Sequence, residues 1–104
     1  MKSTLTNDTE YCFICGNRAI GEHHLIFGTS GREFAERYGL KIPICAKCHT
    51  ASEFVVDRIH DNSMAERLSK MLGQMTWERD RALEGMSKDQ IRDKFIKERG
   101  VSYL

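Results

Sequence analysis

Two Cys-x-x-Cys pairs, Cys12/Cys15 and Cys45/Cys48, bracket a His-His pair at positions 23 and 24, and the second pair runs directly into His49. Thiolates are soft ligands, and two short knuckles that each present a pair of them suit a tetrahedral metal with bonds of about 2.3 Å to sulfur. That use consumes every cysteine in the chain. The histidines between and after the knuckles point to a second, chemically different site, since imidazole both binds metals and carries protons near neutral pH.

At 104 residues the chain is near the size where apolar burial alone is just sufficient, so a stapling metal would matter. No stretch approaches the ~18 apolar residues of a membrane span, and the start, Met1 to Thr6, lacks the apolar core of a signal peptide. The expectation is a soluble protein of the cytoplasm. Disulfides do not persist in that reducing compartment, which favours zinc over two cystines. Net charge is +1, with seven Lys/Arg against seven Asp/Glu in residues 1–60 and nine against eight in residues 61–104. Charge alone thus makes no case for nucleic acid, and any phosphate contact must come from a local group such as Arg32, Arg37, Lys41 and Lys47.

The elements that must position these residues follow from pattern and punctuation. Tyr11 to Asn17 alternates ligands with apolar residues and ends in Gly-Asn, the turn chemistry of a knuckle. Arg18 to Phe27 reads as a strand through His23-His24, and Gly28 to Gly31 as a break. Phe34 and Tyr38, four apart, predict a short helix over 32–38 that Gly39 stops. Leu40, Ile42 and Ile44 alternate as in a strand, and Pro43 makes that strand short or an edge. From Ala46 to His60 the pattern reads as helix, with Phe54, Val55 and Ile59 on its apolar face. His49, Glu53, Asp57 and His60 then recur on its polar face, where a solvated role is the simplest one.

The last third is punctuated helix. Asn62 or Ser63 caps a segment whose apolar stripe, Met64, Leu68, Met71 and Leu72, ends at Gly73. Thr76 starts a second helix through Glu84. Ser87 and Gln90 form a capping box for a third, with Ile91, Phe95 and Ile96 facing inward and Gly100 as the stop.

The order of strand with His23-His24, glycine-containing loop, short strand, Cys45-Ala46-Lys47-Cys48 and His49 at a helix start resembles the HNH, or ββα-metal, nucleases, in their zinc-bearing variants. More narrowly, His23-His24-Leu25-Ile26-Phe27-Gly28, Arg32, Tyr38-Gly39-Leu40 and the ending Gly100-Val101-Ser102-Tyr103-Leu104 resemble small phage proteins of HNH-like type. The resemblance implies an α+β fold with a zinc-stapled, treble-clef-like ββα-metal module over 11–60; the polar start reads as a flexible N-terminus over residues 1–10, and the helical tail over 61–104 packs on the module or mediates self-association. The resemblance also implies a metal-dependent DNA endonuclease, phage-encoded and working in the host cytoplasm. In it His24 is the general base, and His23, His49 and Glu53 are ligands of a catalytic divalent ion, Mg2+ or another. Cys12, Cys15, Cys45 and Cys48 hold a structural Zn2+, DNA is the partner, and a homodimer would suit cleavage of both strands.

Phosphodiester hydrolysis asks for such parts. Imidazole can deprotonate water near neutral pH, a metal neutralises charge on the scissile phosphate, and Arg32 just past the loop could pair with phosphate oxygens bidentately. Neighbouring strand residues point to opposite faces, so His23 and His24 divide the labour. The chain departs from the family pattern at Leu40, where an asparagine braces the loop that carries the base. Thr29, Ser30 or a backbone carbonyl would have to brace it instead. The alternative implied by that departure and by the near-neutral charge is a catalytically impaired zinc module that binds nucleic acid or a host protein. Redox use of the Cys-x-x-Cys pairs has no parallel-strand setting to support it.

Overall fold

The computed structural model describes residues 1–104. Strands β1 (Gly21–His24) and β2 (Lys41–Ile44) pair antiparallel, in a register that sets His23 opposite Ile42 and His24 opposite Lys41. Helix α1 (Gly31–Tyr38) lies on the connection between them, and α2 (Ser63–Leu83) and α3 (Lys88–Arg99) follow three short turns. Pro43 has no amide to donate, which a two-stranded sheet tolerates. Its carbonyl instead accepts the amide of Phe13 at 2.9 Å, seating the first knuckle beside β2.

Helix α1 buries Phe34 and Ala35 and ends at Gly39, whose φ of 69° is the left-handed conformation that glycine adopts without strain. That turn sends Leu40 into the core, where it is fully buried and its carbonyl accepts the amide of Leu25 at 2.9 Å. Lys41, one of the basic residues considered for a phosphate contact, is buried. The N-terminal residues lie against it: Ser3 Oγ donates to the Lys41 carbonyl at 2.6 Å, and the Thr4 amide to the Gly39 carbonyl at 3.0 Å. Residues expected to be flexible therefore make specific contacts, with Leu5 packed on the main core.

The core is aromatic at its centre. Trp77 of α2, Phe95 of α3 and Phe34 of α1 pack with ring centroids 5.4 to 6.1 Å apart, above Leu25, Ile26, Leu40 and Ile42. The capping box of Ser87 and Gln90 forms, and Gly100 ends α3 in the left-handed conformation. Ile91 and Phe95 face inward as expected, whereas Ile96 is exposed. The two helices are joined by the Arg92–Glu78 ion pair at 2.6 Å, and Arg99 reaches Ser30 Oγ at 2.9 Å. No helix is long and apolar enough to cross a membrane.

Two readings of the tail are corrected. Instead of a helix ending at Gly73 and another starting at Thr76, α2 is continuous; Thr76 Oγ1 donates to the Leu72 carbonyl at 2.8 Å within the helix and caps nothing. The stripe expected in the core also faces outward, with Met64 and Leu68 exposed. Ser69, Gly73, Thr76 and Trp77 form the buried face instead, because small residues let the helix axis approach Leu25 and Ile26 closely. Hydrophobic periodicity registers side-chain apolarity and misses a contact made by the lack of a side chain.

The helix expected over 46–60 is likewise absent. Lys47–Ala51 forms a single wide turn, Ser52, Phe54 and Arg58 are extended, and two 3-10 turns, Val55–Asp57 and Ile59–Asp61, complete the path. Of the apolar face expected to hold such a helix only Ile59 is buried, and Phe54 and Val55 are exposed. The break has a consequence for chemistry. A helix would carry His60 about 16 Å along its axis from His49, at 1.5 Å per residue, whereas the folded-back path brings the two rings together.

A β-carbon at Gly73 would stand 2.8 Å from Ile26 Cγ1 and 3.1 Å from Leu25 Cβ. In an exposed helix interior Gly→Ala stabilises by about 1 kcal/mol. Here Gly73→Ala is expected to destabilise by about 1–3 kcal/mol through overpacking, as read by urea unfolding. A variant more stable than the native chain would overturn the close crossing of α2 on Leu25 and Ile26.

Candidate metal centres

The four cysteine sulfurs lie within 4.8 Å of one another, with Cys15 Sγ and Cys45 Sγ 3.6 Å apart. Tetrahedral ligands with bonds of about 2.3 Å sit about 3.8 Å apart, so the cluster has the size of a four-thiolate zinc site. Each knuckle is shaped by its backbone. In the first, the Gly16 amide donates to the Cys12 carbonyl at 2.9 Å with Gly16 at φ 80°, and in the second the Cys48 amide points at Cys45 Sγ at 3.5 Å. Burial opposes the thiolate at Cys12, yet hydrogen bonds from the backbone at Cys15, Cys45 and Ile14 outweigh it and bring its pKa down to about 6. Burial and bonds to the crowded sulfurs push Cys48 up. A divalent cation in their midst would relieve that crowding by replacing the thiol protons.

A second cluster lies on the far side of Cys48. His23, His49 and His60 converge, each with a ring nitrogen within 4.8 Å of the others, and Nε2 of His49 faces Nε2 of His60 at 2.9 Å. Ligand nitrogens on one ion, with bonds of about 2.0–2.1 Å, are about 2.9–3.4 Å apart. Three elements deliver the rings. β1 brings His23, the turn leaving the second knuckle brings His49, and the turn Ile59–Asp61 brings His60. Ile59 anchors that last turn by packing with Cys12, Ile44 and Cys45, while Arg58 pairs with Asp61 at 3.4 Å. Phe27 closes one side, its ring 4.7 Å from that of His60.

Burial, and then the charge that His60, His49 and His24 would carry, pushes the pKa of His23 down to about 3; the first cause and His60 also lower that of His49. Neutral imidazoles are the form that binds metal. His23 Nε2 also lies 2.9 Å from Ser69 Oγ of α2.

His24 stands apart from this ligand set but lines the same pocket, of about 210 Å³, together with Glu22, Arg32 and Phe27. Its Nε2 is 2.8 Å from Glu36 Oε2 of α1. Lys41, across the sheet from His24, donates to both oxygens of Glu36 at 3.0 and 3.1 Å and pairs with Glu22 at 3.3 Å. The hydrogen bond from His24, then that from Lys41, lowers the pKa of Glu36 to about 2. Burial works against the charge of Lys41, but its two carboxylates win and raise its pKa. Glu36, and neither Thr29, Ser30 nor a carbonyl, therefore makes the side-chain contact to His24.

The structure thus brings together His23, His24, Arg32 and His49 from the sequence-based set, and it gathers all four cysteines. Glu53 is exposed and belongs to neither donor cluster; His60 stands where a third ligand was sought. A helix through residue 60 hid that histidine, because it would have carried the ring away from His49. The signal in the sequence was the β-branched pair Val55-Val56, poor helix formers, a turn before it. No family model, curated protein or solved structure matches this chain.

The purified chain is expected to carry one zinc per molecule on the cysteines. Elemental analysis should show that zinc lost in Cys45→Ser and retained in His49→Ala, and chelation should abolish the cooperative thermal transition, since binding energy here is folding energy. Undiminished zinc in Cys45→Ser would overturn the four-sulfur site.

Proposed function

We propose that the chain is a metal-dependent DNA endonuclease of the zinc-bearing ββα-metal kind, with its structural zinc on the four cysteines and its reaction centre in the histidine pocket. The observation that supports this reading is the convergence of His23, His49 and His60 on a pocket that His24 and Arg32 also line. Three imidazoles without a carboxylate form a donor set that suits Zn2+, Ni2+ or Co2+ better than Mg2+, which demands oxygen ligands. An ion held there would supply Lewis-acid stabilisation of the charge that develops on phosphate and leaving oxygen.

The chain's own residues perform the rest. A carboxylate only accepts hydrogen bonds, so His24 donates Nε2–H to Glu36 Oε2 and its neutral form keeps a lone pair on Nδ1. That nitrogen takes the proton of an attacking water, and the Glu36 carboxylate then faces the imidazolium. Glu36 in this reading performs the bracing that an asparagine performs in the family pattern, which leaves position 40 free for a core leucine. Arg32 offers its planar fork to the phosphate oxygens.

One observation favours a second reading. Met64, Leu68, Leu72 and Met75 are exposed on the outer face of α2, which fits a non-catalytic zinc module that recognises a protein better than one that grips DNA.

Plasmid nicking separates the two. With Mn2+, Co2+ or Ni2+ the native chain should convert supercoiled DNA to nicked and linear forms, and His24→Ala should be slower by about 10²–10⁴-fold. Glu36→Ala should lose on the order of 100-fold, as expected when a catalytic group is misplaced. No cleavage with any of these ions, or undiminished cleavage by His24→Ala, sinks the nuclease reading.

A further inference from the structure

We propose that Ser69 is a positioning residue of the three-histidine centre: by accepting a hydrogen bond from His23 Nε2 it fixes Nδ1 as the metal-binding nitrogen, so helix α2 completes a site whose ligands all precede it. This rests on the reading of the cluster as a metal site, and it adds which atom binds and what holds it.

The assignment follows from counting protons. Ser69 Oγ lies 2.7 Å from the Leu25 carbonyl oxygen and 2.9 Å from His23 Nε2. The carbonyl can only accept, so it takes the single hydroxyl proton. Only lone pairs of Oγ then remain for His23, and Nε2 must be the donor. A neutral imidazole carries one ring proton, so Nδ1 is bare. His23, Leu25 and Ser69 are all buried, with relative exposures of 1%, 1% and 5%, so water offers no competing partner. The other tautomer would set a lone pair of nitrogen against a lone pair of oxygen in this dry setting, an unpaired contact that buried polar groups avoid. Outer partners of this kind orient a ligating imidazole and raise its basicity.

The same geometry gives α2 a role beyond covering the sheet. Ser69 is one turn before Gly73, the residue that lets the helix press on Leu25 and Ile26. Close approach at Gly73 is what puts a hydroxyl within reach of both Leu25 and His23.

The test uses the full chain with its cysteine zinc in place. Calorimetric titration with Co2+ or Ni2+ should show one further equivalent bound by the native protein and none by His60→Ala. Ser69→Ala should bind that equivalent about 10- to 100-fold more weakly, with zinc content unchanged, and Ser69→Thr should recover most of the loss. Two-bond 1H–15N spectra of 15N-histidine-labelled native protein, which need no substitution, should place the His23 proton on Nε2 before and after metal addition. Equal affinity in Ser69→Ala, or a His23 proton on Nδ1, overturns the assignment while leaving the metal site standing. A native chain that takes up no second equivalent overturns both.

Discussion

Everything in this chain that can do chemistry depends on closing one loop: the sulfurs of Cys12 and Cys15 must meet those of Cys45 and Cys48, some thirty residues on. The two-stranded sheet alone is too small to hold that closure, since an isolated pair of strands is marginal in water. A metal on the four sulfurs would offset the entropy of the loop with bonds whose strength does not depend on buried area. Because Cys45 follows directly on β2 and Cys48 directly precedes His49, fixing the sulfurs also fixes where the second knuckle's turn releases its histidine.

Around that closure the polar groups sort by environment. Burial, and then the charge that His60, His49 and His24 would carry, brings the pKa of His23 down to about 3, and burial also lowers that of His49. A step to the side, Lys41 and Glu36 are held ionised against each other, and their carboxylate meets the ring of His24. Adjacent residues of one strand thus occupy opposite electrostatic settings, as the alternation of strand side chains allows. One setting favours donation to a cation and the other the holding of a proton.

How much of this was legible in the sequence depended on the range of the interaction. Local devices were readable: the knuckle glycine at 16, the left-handed Gly39, the capping box of Ser87 and Gln90 and the stop at Gly100 each follow from chemistry within a few residues. The four-cysteine cluster was readable because its spacing is its own signature. What failed was decided at long range. Gly73 looked like a helix stop and is a contact surface, the Met64 and Leu68 stripe looked like core and faces out, and His60 looked solvated because the run from Ala46 imitated a helix. In each case a tertiary contact, α2 on Leu25 and Ile26 or Ile59 on the cysteine side, overrode a local pattern. Glu36 escaped for the same reason, since nothing near residue 36 announces that α1 will lay it beside β1.

The two donor sets differ in what a metal on each could do. Four thiolates leave a metal no open position, and their soft donors favour zinc strongly. Three imidazoles would leave an ion positions free for water or other ligands, and they suit several divalent ions. Cys48 and His49 are neighbours in sequence, so the two centres share a stretch of backbone and cannot move independently. A closed sulfur site would therefore serve the histidine cluster as its mount: the sulfur cluster holds the turn, and the turn holds His49 at the pocket that His24 and Arg32 also line. The opposite assignment, an exchangeable ion on the cysteines and a permanent one on the histidines, would loosen the frame at every exchange and leave the frame's own ligands without a reason to crowd.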